Sequence, residues 1–495
     1  MKMRKFLSLL SVAMLVLGVS AKSPNPKTEF RGAWMHTVHQ QQYARQNTEE
    51  NKEYLRRQLD SLKYAGVNAV LFQVRPSADA FYESKLEPWS RFLTDNGNPP
   101  APYWDPLEFM VEETHKRGME LHAWLNPYRV TTTKTEKLPK NHIYHKEPER
   151  FVRYEGDGRL YFDPGLPQNR KFIVDVITDI TDRYDVDGIH FDDYFYPYPA
   201  NGKDFPDDAS YKKYGNGMDR GDWRRKNVDL LIEDVHNAIS SGKKPWVRFG
   251  ISPFGIWRNK TSDPRGSNTS GLENYDALYA DVLLWAEKGW IDYLLPQLYW
   301  ELGHKKASSL ELVNWWNNAV DPKCQLYIGQ DVERTMKTPD APYSKAPDEL
   351  DHKVELSRQL PNVQGNCWWP GYSITKNFMG VADRLASDLQ STVALVPAYP
   401  ALSEGAPKAV TDLTLNGRVL NWKRDKMKGN ASDQVKFVVY KFAQGAEHDY
   451  NDARNIYAVT PDTYVEIDGR GVYSVTALDR VNNESEPAAK IMSVK

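Results

Sequence analysis

The chain has 495 residues, too many for one ordinary domain and enough for a barrel of roughly 250 or more residues plus a module of about 100. Charged residues make up 26% and the formal net charge is −2, which leaves no basic field for nucleic acid or an anionic membrane. With 15 Trp, 28 Tyr and 17 Phe the chain is rich in rings, which build cores and also stack on the C–H faces of sugars.

In chain order, Lys2, Arg4 and Lys5 precede an apolar run from Phe6 to Val19 that is short for a membrane span. Val19-Ser20-Ala21 offers the small residues of a signal-peptidase site, so residues 1–21 read as a signal peptide cut after Ala21. No cysteine follows to carry a lipid, and no later stretch is a transmembrane candidate. The mature protein is therefore expected in the periplasm or outside the cell.

From Phe30 onward short apolar strands alternate with amphipathic helices, the pattern of a parallel sheet. Asn47 and Glu50 make a capping-box pair, Leu55, Leu59 and Leu62 recur at helical spacing, and Gly66 ends that helix. Strands are predicted at Gly32-Ala33-Trp34, Ala69 to Arg75, Leu121 to Asn126, Gly188 to Asp193, Arg248 to Ser252, Tyr293 to Tyr299, Leu326 to Gly329 and Asn366 to Trp369. Helices are predicted between them, among them Pro106 to Arg117, Gln168 to Tyr184, Tyr275 to Lys288 and Ile374 to Leu389. Eight such units make an α/β TIM (β/α)8 barrel over residues 28–395. A doubly wound open sheet would carry a Gly-rich turn after its first strand, and Gly32-Ala33-Trp34-Met35-His36 is nothing of the kind.

Pro397, Pro400, Gly405 and Pro407 mark a linker at 396–406, after which alternating strands run to 495. Trp422, the run Val435 to Phe442, and Tyr473 in Val472-Tyr473-Ser474-Val475 resemble a fibronectin type III β-sandwich, with Trp422 as core tryptophan and Tyr473 as corner tyrosine. Such a module implies a spacer or docking role. Cys324 and Cys367 are too few for a disulfide framework and read as two buried thiols.

In a barrel strand side chains alternate between lumen and helix layer, and active-site groups sit at the C-terminal ends. Parity groups Gln73 with Arg75, His122 with Trp124 and Asn126, His190 with Asp192 and Tyr194, and Gln297 with Tyr299 and Glu301. Glycosidic cleavage needs an acid for the leaving oxygen and a second carboxylate as nucleophile or base. Asp192 is the expected nucleophile or electrostatic stabiliser and Glu301 the expected acid/base. Asp193 is the alternative to Asp192, and Asp331 is held in reserve. Arg75, Asn126, His190, Tyr194, Gln297, Tyr299, Trp300 and Trp369 are the candidate substrate contacts; Asp163-Pro164-Gly165 reads as a turn. No metal site and no cofactor are expected.

The strings Phe30-Arg31-Gly32-Ala33-Trp34, Gln73-Val74-Arg75-Pro76, Leu121-His122-Ala123-Trp124-Leu125-Asn126-Pro127-Tyr128, Gly188-Ile189-His190-Phe191-Asp192-Asp193-Tyr194, Ile251-Ser252-Pro253-Phe254-Gly255 and Pro296-Gln297-Leu298-Tyr299-Trp300 together resemble the glycosyl-hydrolase-like family 10 proteins. The resemblance spans roughly Glu29 to Leu389 and implies a barrel and glycoside hydrolysis, with a peptidoglycan strand or another glycan as substrate. Two alternatives keep the fold: a non-catalytic carbohydrate-binding protein on a degenerate barrel, and a metal-dependent deacetylase using His122, His190 and Asp192. The sequence leaves the oligomeric state open.

Overall fold

The computed structural model describes residues 25–94, 97–403 and 405–494; the expected signal peptide lies outside these. Eight parallel strands close into a barrel: β1 (Phe30–Met35), β2 (Ala69–Arg75), β3 (Glu120–Leu125), β4 (Gly188–Phe191), β5 (Arg248–Ile251), β6 (Tyr293–Leu294), β7 (Gln325–Asp331) and β8 (Val363–Trp369). Each strand pairs with the next, and β8 returns to β1. The first connecting helix (Thr48–Tyr64) has the capping box expected of Asn47 and Glu50. Its buried Leu55, Leu59 and Leu62 lie in the helix-layer core.

The lumen is filled by a second, more aromatic core that includes Phe30, Trp34, Leu71, Trp124, Tyr293 and Tyr327. Tyr293 lies so close across Gly250 that a Cβ there would meet its ring at 2.0 Å, so only glycine fits on β5. A hairpin between β3 and β4, Phe151–Arg153 with Leu160–Phe162, folds over one side of the rim.

Three elements differ from expectation, each for a backbone reason. β6 stops at Leu294, and Gln297 keeps only isolated bridges to Phe254 and Gly329; Pro296 has no N–H to donate to a ladder. The helix expected at 275–288 is split into Asn274–Ala277 and Val282–Glu287, with Tyr279 between them at φ 55°. The one expected at 374–389 is broken by left-handed residues at Asn377, Met379 and Gly380.

Beyond the barrel, β9 (Thr411–Asn416), β10 (Val419–Lys423), β11 (Lys436–Phe442), β12 (Ile456–Thr460), β13 (Tyr464–Glu466), β14 (Gly471–Leu478) and β15 (Met492–Val494) form two antiparallel sheets, β9-β10-β13 and β12-β11-β14-β15. Trp422 packs edge-on against Phe437 in their shared core. The Tyr473 hydroxyl donates to the Gly469 carbonyl at 2.9 Å. Cys324 and Cys367 are separate buried thiols.

The C-terminal unit is seated on the base of the barrel. Glu120, the first residue of β3, is fully buried and pairs with Arg248 of β5. Its other oxygen accepts a 2.7 Å bond from the Asn482 amide and lies 3.7 Å from Lys436 Nζ. Arg480 adds an ion pair to Asp185 at 2.8 Å. An ionised carboxylate away from water is tolerated only when paired and hydrogen-bonded, and here two of its four partners, Asn482 and Lys436, come from the C-terminal unit, the others being Arg248 and His122.

Candidate active site

The C-terminal ends of the strands surround a cavity of about 310 Å³ lined by side chains from most of the barrel. Asp192 and Asp193 stand together in its wall, with Trp34, Trp124, Tyr194, Tyr299 and Trp369 as flat apolar surfaces. Asp192 continues the inward parity of His190. Asp193 reaches the same cavity because regular β4 ends at Phe191, so the next two residues are no longer held to opposite faces.

Each carboxylate is held by a set of donors. The Asp192 oxygens accept from Trp124 Nε1 at 3.0 Å, from Asn126 Nδ2 at 3.2 and 3.3 Å, and from the Tyr194 backbone N–H at 3.3 Å. Asp193 accepts from the Tyr198 hydroxyl and, at 3.1 Å, from Gln297 Nε2. Burial, then the adjacent Asp193 charge, pushes Asp192 up to about 7, although Arg129 and the bonded donors pull it down. Burial also raises Asp193, against the Tyr198 and Gln297 hydrogen bonds. Near neutral pH Asp192 is therefore poised to hold or release a proton, the property a general acid/base needs.

Other expected contacts are placed variously. Gln297, Tyr194, Tyr299 and Trp369 line the cavity, the Tyr194 ring 5.1 Å from the Arg129 guanidinium. Asn126 is buried beneath Asp192 and, through Oδ1, accepts from Arg129 N, so it holds neighbours instead of lining the opening. His190 lies in the lumen, bonded to Trp34, Tyr293 and Ser252. Burial holds it well below its usual range, so it is neutral.

Arg75 is not brought to the cavity. A register shift separates Gln73 from Arg75 on β2, pairing Arg75 with Leu125, which faces the helix-layer core. A one-residue irregularity reverses facing, and the parity argument fails there. The guanidinium forms a two-pronged pair with Glu87, 2.7 and 2.6 Å. Glu301 is also elsewhere. The chain turns at this residue, whose carbonyl accepts from His304 N and Ser309 N; its carboxylate is 31% exposed and 3.9 Å from Arg334. Trp300 turns onto Phe254, ring centroids 5.4 Å apart, outside the cavity lining. Asp331 caps the helix Val332–Lys337.

His122, His190 and Asp192 do not converge on a metal position. His122 is tied to Glu120 and Tyr293, and His190 to Tyr293 and Ser252, so their ring nitrogens are already engaged.

Several lining residues went unpredicted as site residues. Parity places Trp124 on the inward row of its strand and Trp34 lies inside the first strand, but neither is among the expected contacts. Gln73 is held by its Oε1, which accepts from Thr37 N and Val38 N at 3.0 and 2.9 Å, leaving its buried Nε2 with no partner among the described residues. Arg129 and Arg159 come from segments beyond β3 that strand parity does not reach; Ser252 closes a predicted strand but is not among the expected contacts, and Tyr198, which bonds Asp193, lies in the loop after β4.

A closed (β/α)8 barrel whose strand ends gather paired aspartates and a ring-lined cavity defines a glycosidase-type protein. The chain belongs to the glycosyl hydrolase-like 10 family, whose model matches residues 29–345. It is 40% identical over 462 residues to glycosyl hydrolase YngK of Bacillus subtilis (strain 168), covering 89% of this chain and 88% of that protein. It is 38% identical over 326 residues to glycosyl hydrolase DigH of Escherichia coli (strain K12), covering 62% of this chain and 72% of that one. Among solved structures, the PgaB (BpsB) glycoside hydrolase domain from Bordetella bronchiseptica aligns at TM-score 0.48 and 13% identity over 75% of this chain and 100% of that one.

Proposed function

We propose that the protein is an exported glycoside hydrolase that cuts O-glycosyl bonds of a poly- or oligosaccharide, such as a peptidoglycan strand, with Asp192 and Asp193. One observation carries this: two adjacent buried aspartates in the wall of a ring-lined cavity, one of them raised to about 7. Asp192, lifted to about 7 by burial and by the neighbouring Asp193 charge, protonates the leaving glycosidic oxygen. Asp193 is the charged partner that stabilises the developing positive charge on the sugar until, the leaving sugar having departed, water bonds to the anomeric carbon and gives its proton to the now ionised Asp192. Tyr198 and Gln297 donate to its two oxygens and so favour its ionised form. Trp124 and Asn126 hold Asp192 in place, and the rings of Trp34, Tyr299 and Trp369 supply stacking surfaces.

The test is turnover on a glycan panel read as new reducing ends. Asp192→Asn and Asp193→Asn should each lower kcat by about 10²–10⁴ while oligosaccharide binding persists. Glu301→Gln should stay within about twofold of wild type. Wild-type turnover by Asp192→Asn would sink the assignment, and a glycan that binds without ever being cut would point to a carbohydrate-binding barrel.

A further inference from the structure

A second cavity, of about 300 Å³, lies at the opposite end of the barrel, where the C-terminal unit is seated on its base. Asp185, Val186 and Trp246, from the segments entering β4 and β5, form the barrel side. Arg424, Met427, Lys436, Pro461 and Arg480 form the side of the C-terminal unit.

The charges in this cavity can be paired off one by one. His115 is 2.9 Å from Asp187. Arg480 is 2.8 Å from Asp185 and lies over the Trp246 ring, 4.9 Å from its centroid. Lys436 donates to Asn482 Oδ1 at 3.0 Å and approaches Glu120 at 3.7 Å. Arg424 is left over. Among the described residues it forms no ion pair; its Nη2 donates to the Pro461 carbonyl at 2.6 Å, and its Cζ stands 5.2 Å from the centre of the Phe437 ring. Burial lowers its proton affinity and the Arg480 charge adds to that, while Asp462 and Asp433 oppose it through space. Neither acid balances it. The Asp433 carboxylate is taken up by the backbone N–H groups of Lys428, Gly429 and Asn430, and Asp462 is exposed to water.

Unused donors accompany the unused charge. Arg424 Nε and Arg480 Nε are both buried with no partner among the described residues. A buried N–H without an acceptor is costly, the more so on a charged group. Water can satisfy such an N–H but leaves the Arg424 charge without a counter-ion. One unpaired positive charge calls for one negative charge, which a carboxylate carries and a phosphate dianion exceeds. A planar carboxylate also matches the guanidinium fork. Val186, Trp246, Met427, Val435 and Pro461 give the rest of the cavity apolar surface, on which a short hydrocarbon body can lie.

We propose that this cavity is a second binding site, for a small organic carboxylate whose charge is held by Arg424 and Arg480 and whose apolar body lies against Trp246, Met427 and Pro461. A ligand held there touches both units. The site does not depend on the Asp192–Asp193 assignment, which concerns the other end of the barrel.

The experiment uses the full chain with acetate, hexanoate, inorganic phosphate and the uncharged hexanamide as probes, at constant ionic strength. Thermal unfolding followed by circular dichroism gives the Tm shift, and titration calorimetry gives Kd. Hexanoate should raise Tm saturably and bind about tenfold or more tightly than acetate, because it buries more methylenes, and hexanamide should give no shift. Arg424→Gln should abolish the hexanoate response, Arg424→Lys should weaken binding by about threefold or more without abolishing it, and Arg159→Gln, in the strand-end cavity, should leave it unchanged. Circular dichroism below the transition should show the variants folded; if Arg424→Gln does not fold, the lysine variant carries the test. No saturable shift with hexanoate, an equal shift with hexanamide, tighter binding of phosphate, or a hexanoate response that survives Arg424→Gln or is lost with Arg159→Gln overturns the proposal.

Discussion

Replacing Asp192 by asparagine removes a charge that its surroundings make expensive, and the consequence for stability can be worked out. Burial and the Asp193 charge lift the carboxyl from an ordinary 3.8 to about 7. At roughly 1.4 kcal/mol for each pKa unit, the ionised form costs the folded state about 4 kcal/mol. The folded value lies above the unfolded one, so the stabilising protonation is fully present below about pH 4 and is lost as pH rises through about 7. Asparagine escapes this loss but brings a conflict of its own. The Asp192 oxygens meet only donors, from Trp124, Asn126 and Tyr194, and an amide NH₂ must face one of them. That mismatch costs about 1–3 kcal/mol at any pH. The variant should therefore be less stable than wild type near pH 4 and more stable near about pH 8.5, a crossover worth a few degrees of Tm in each direction. Thermal unfolding followed by circular dichroism across that range measures it. A Tm difference that stays flat with pH would refute the claim that Asp192 is held protonated by its burial.

The remaining predictions concern the same groups and the barrel base. Activity that needs protonated Asp192 should fall as pH rises through about 7, and Asp193→Asn should move the Asp192 titration, followed by NMR, to lower pH because a like charge is gone. Tyr198→Phe removes a donor to Asp193 and should raise the Asp193 pKa, seen by the same titration. Arg248→Met leaves the buried Glu120 short of its main partner and should destabilise by about 3–5 kcal/mol in chemical denaturation. Asn482→Ala, in the C-terminal unit, should cost about 1.5–3 kcal/mol through the lost bond to Glu120; an unchanged midpoint would mean that the unit does not brace the barrel.

What the linear order of residues determined was whatever depends on period and local chemistry. The eight strands, the Asn47 capping box, the inward row His122-Trp124 and the inward Asp192 follow from alternation and caps, because local backbone geometry sets the direction of each side chain, whereas Asp193 joins Asp192 only because the strand ends at Phe191. Tertiary structure decided wherever that geometry is interrupted. A register shift turned Arg75 away to Glu87, the chain reversed at Glu301, and the hairpin brought Arg159 against the segment bearing Arg129. Three of Glu120's partners, Arg248, Asn482 and Lys436, lie more than a hundred residues away, on β5 and in the C-terminal unit. Parity is a rule about neighbours along one strand. Which carboxylates lose their water depends on groups from distant segments meeting in one cavity, and no spacing in the sequence encodes that distance.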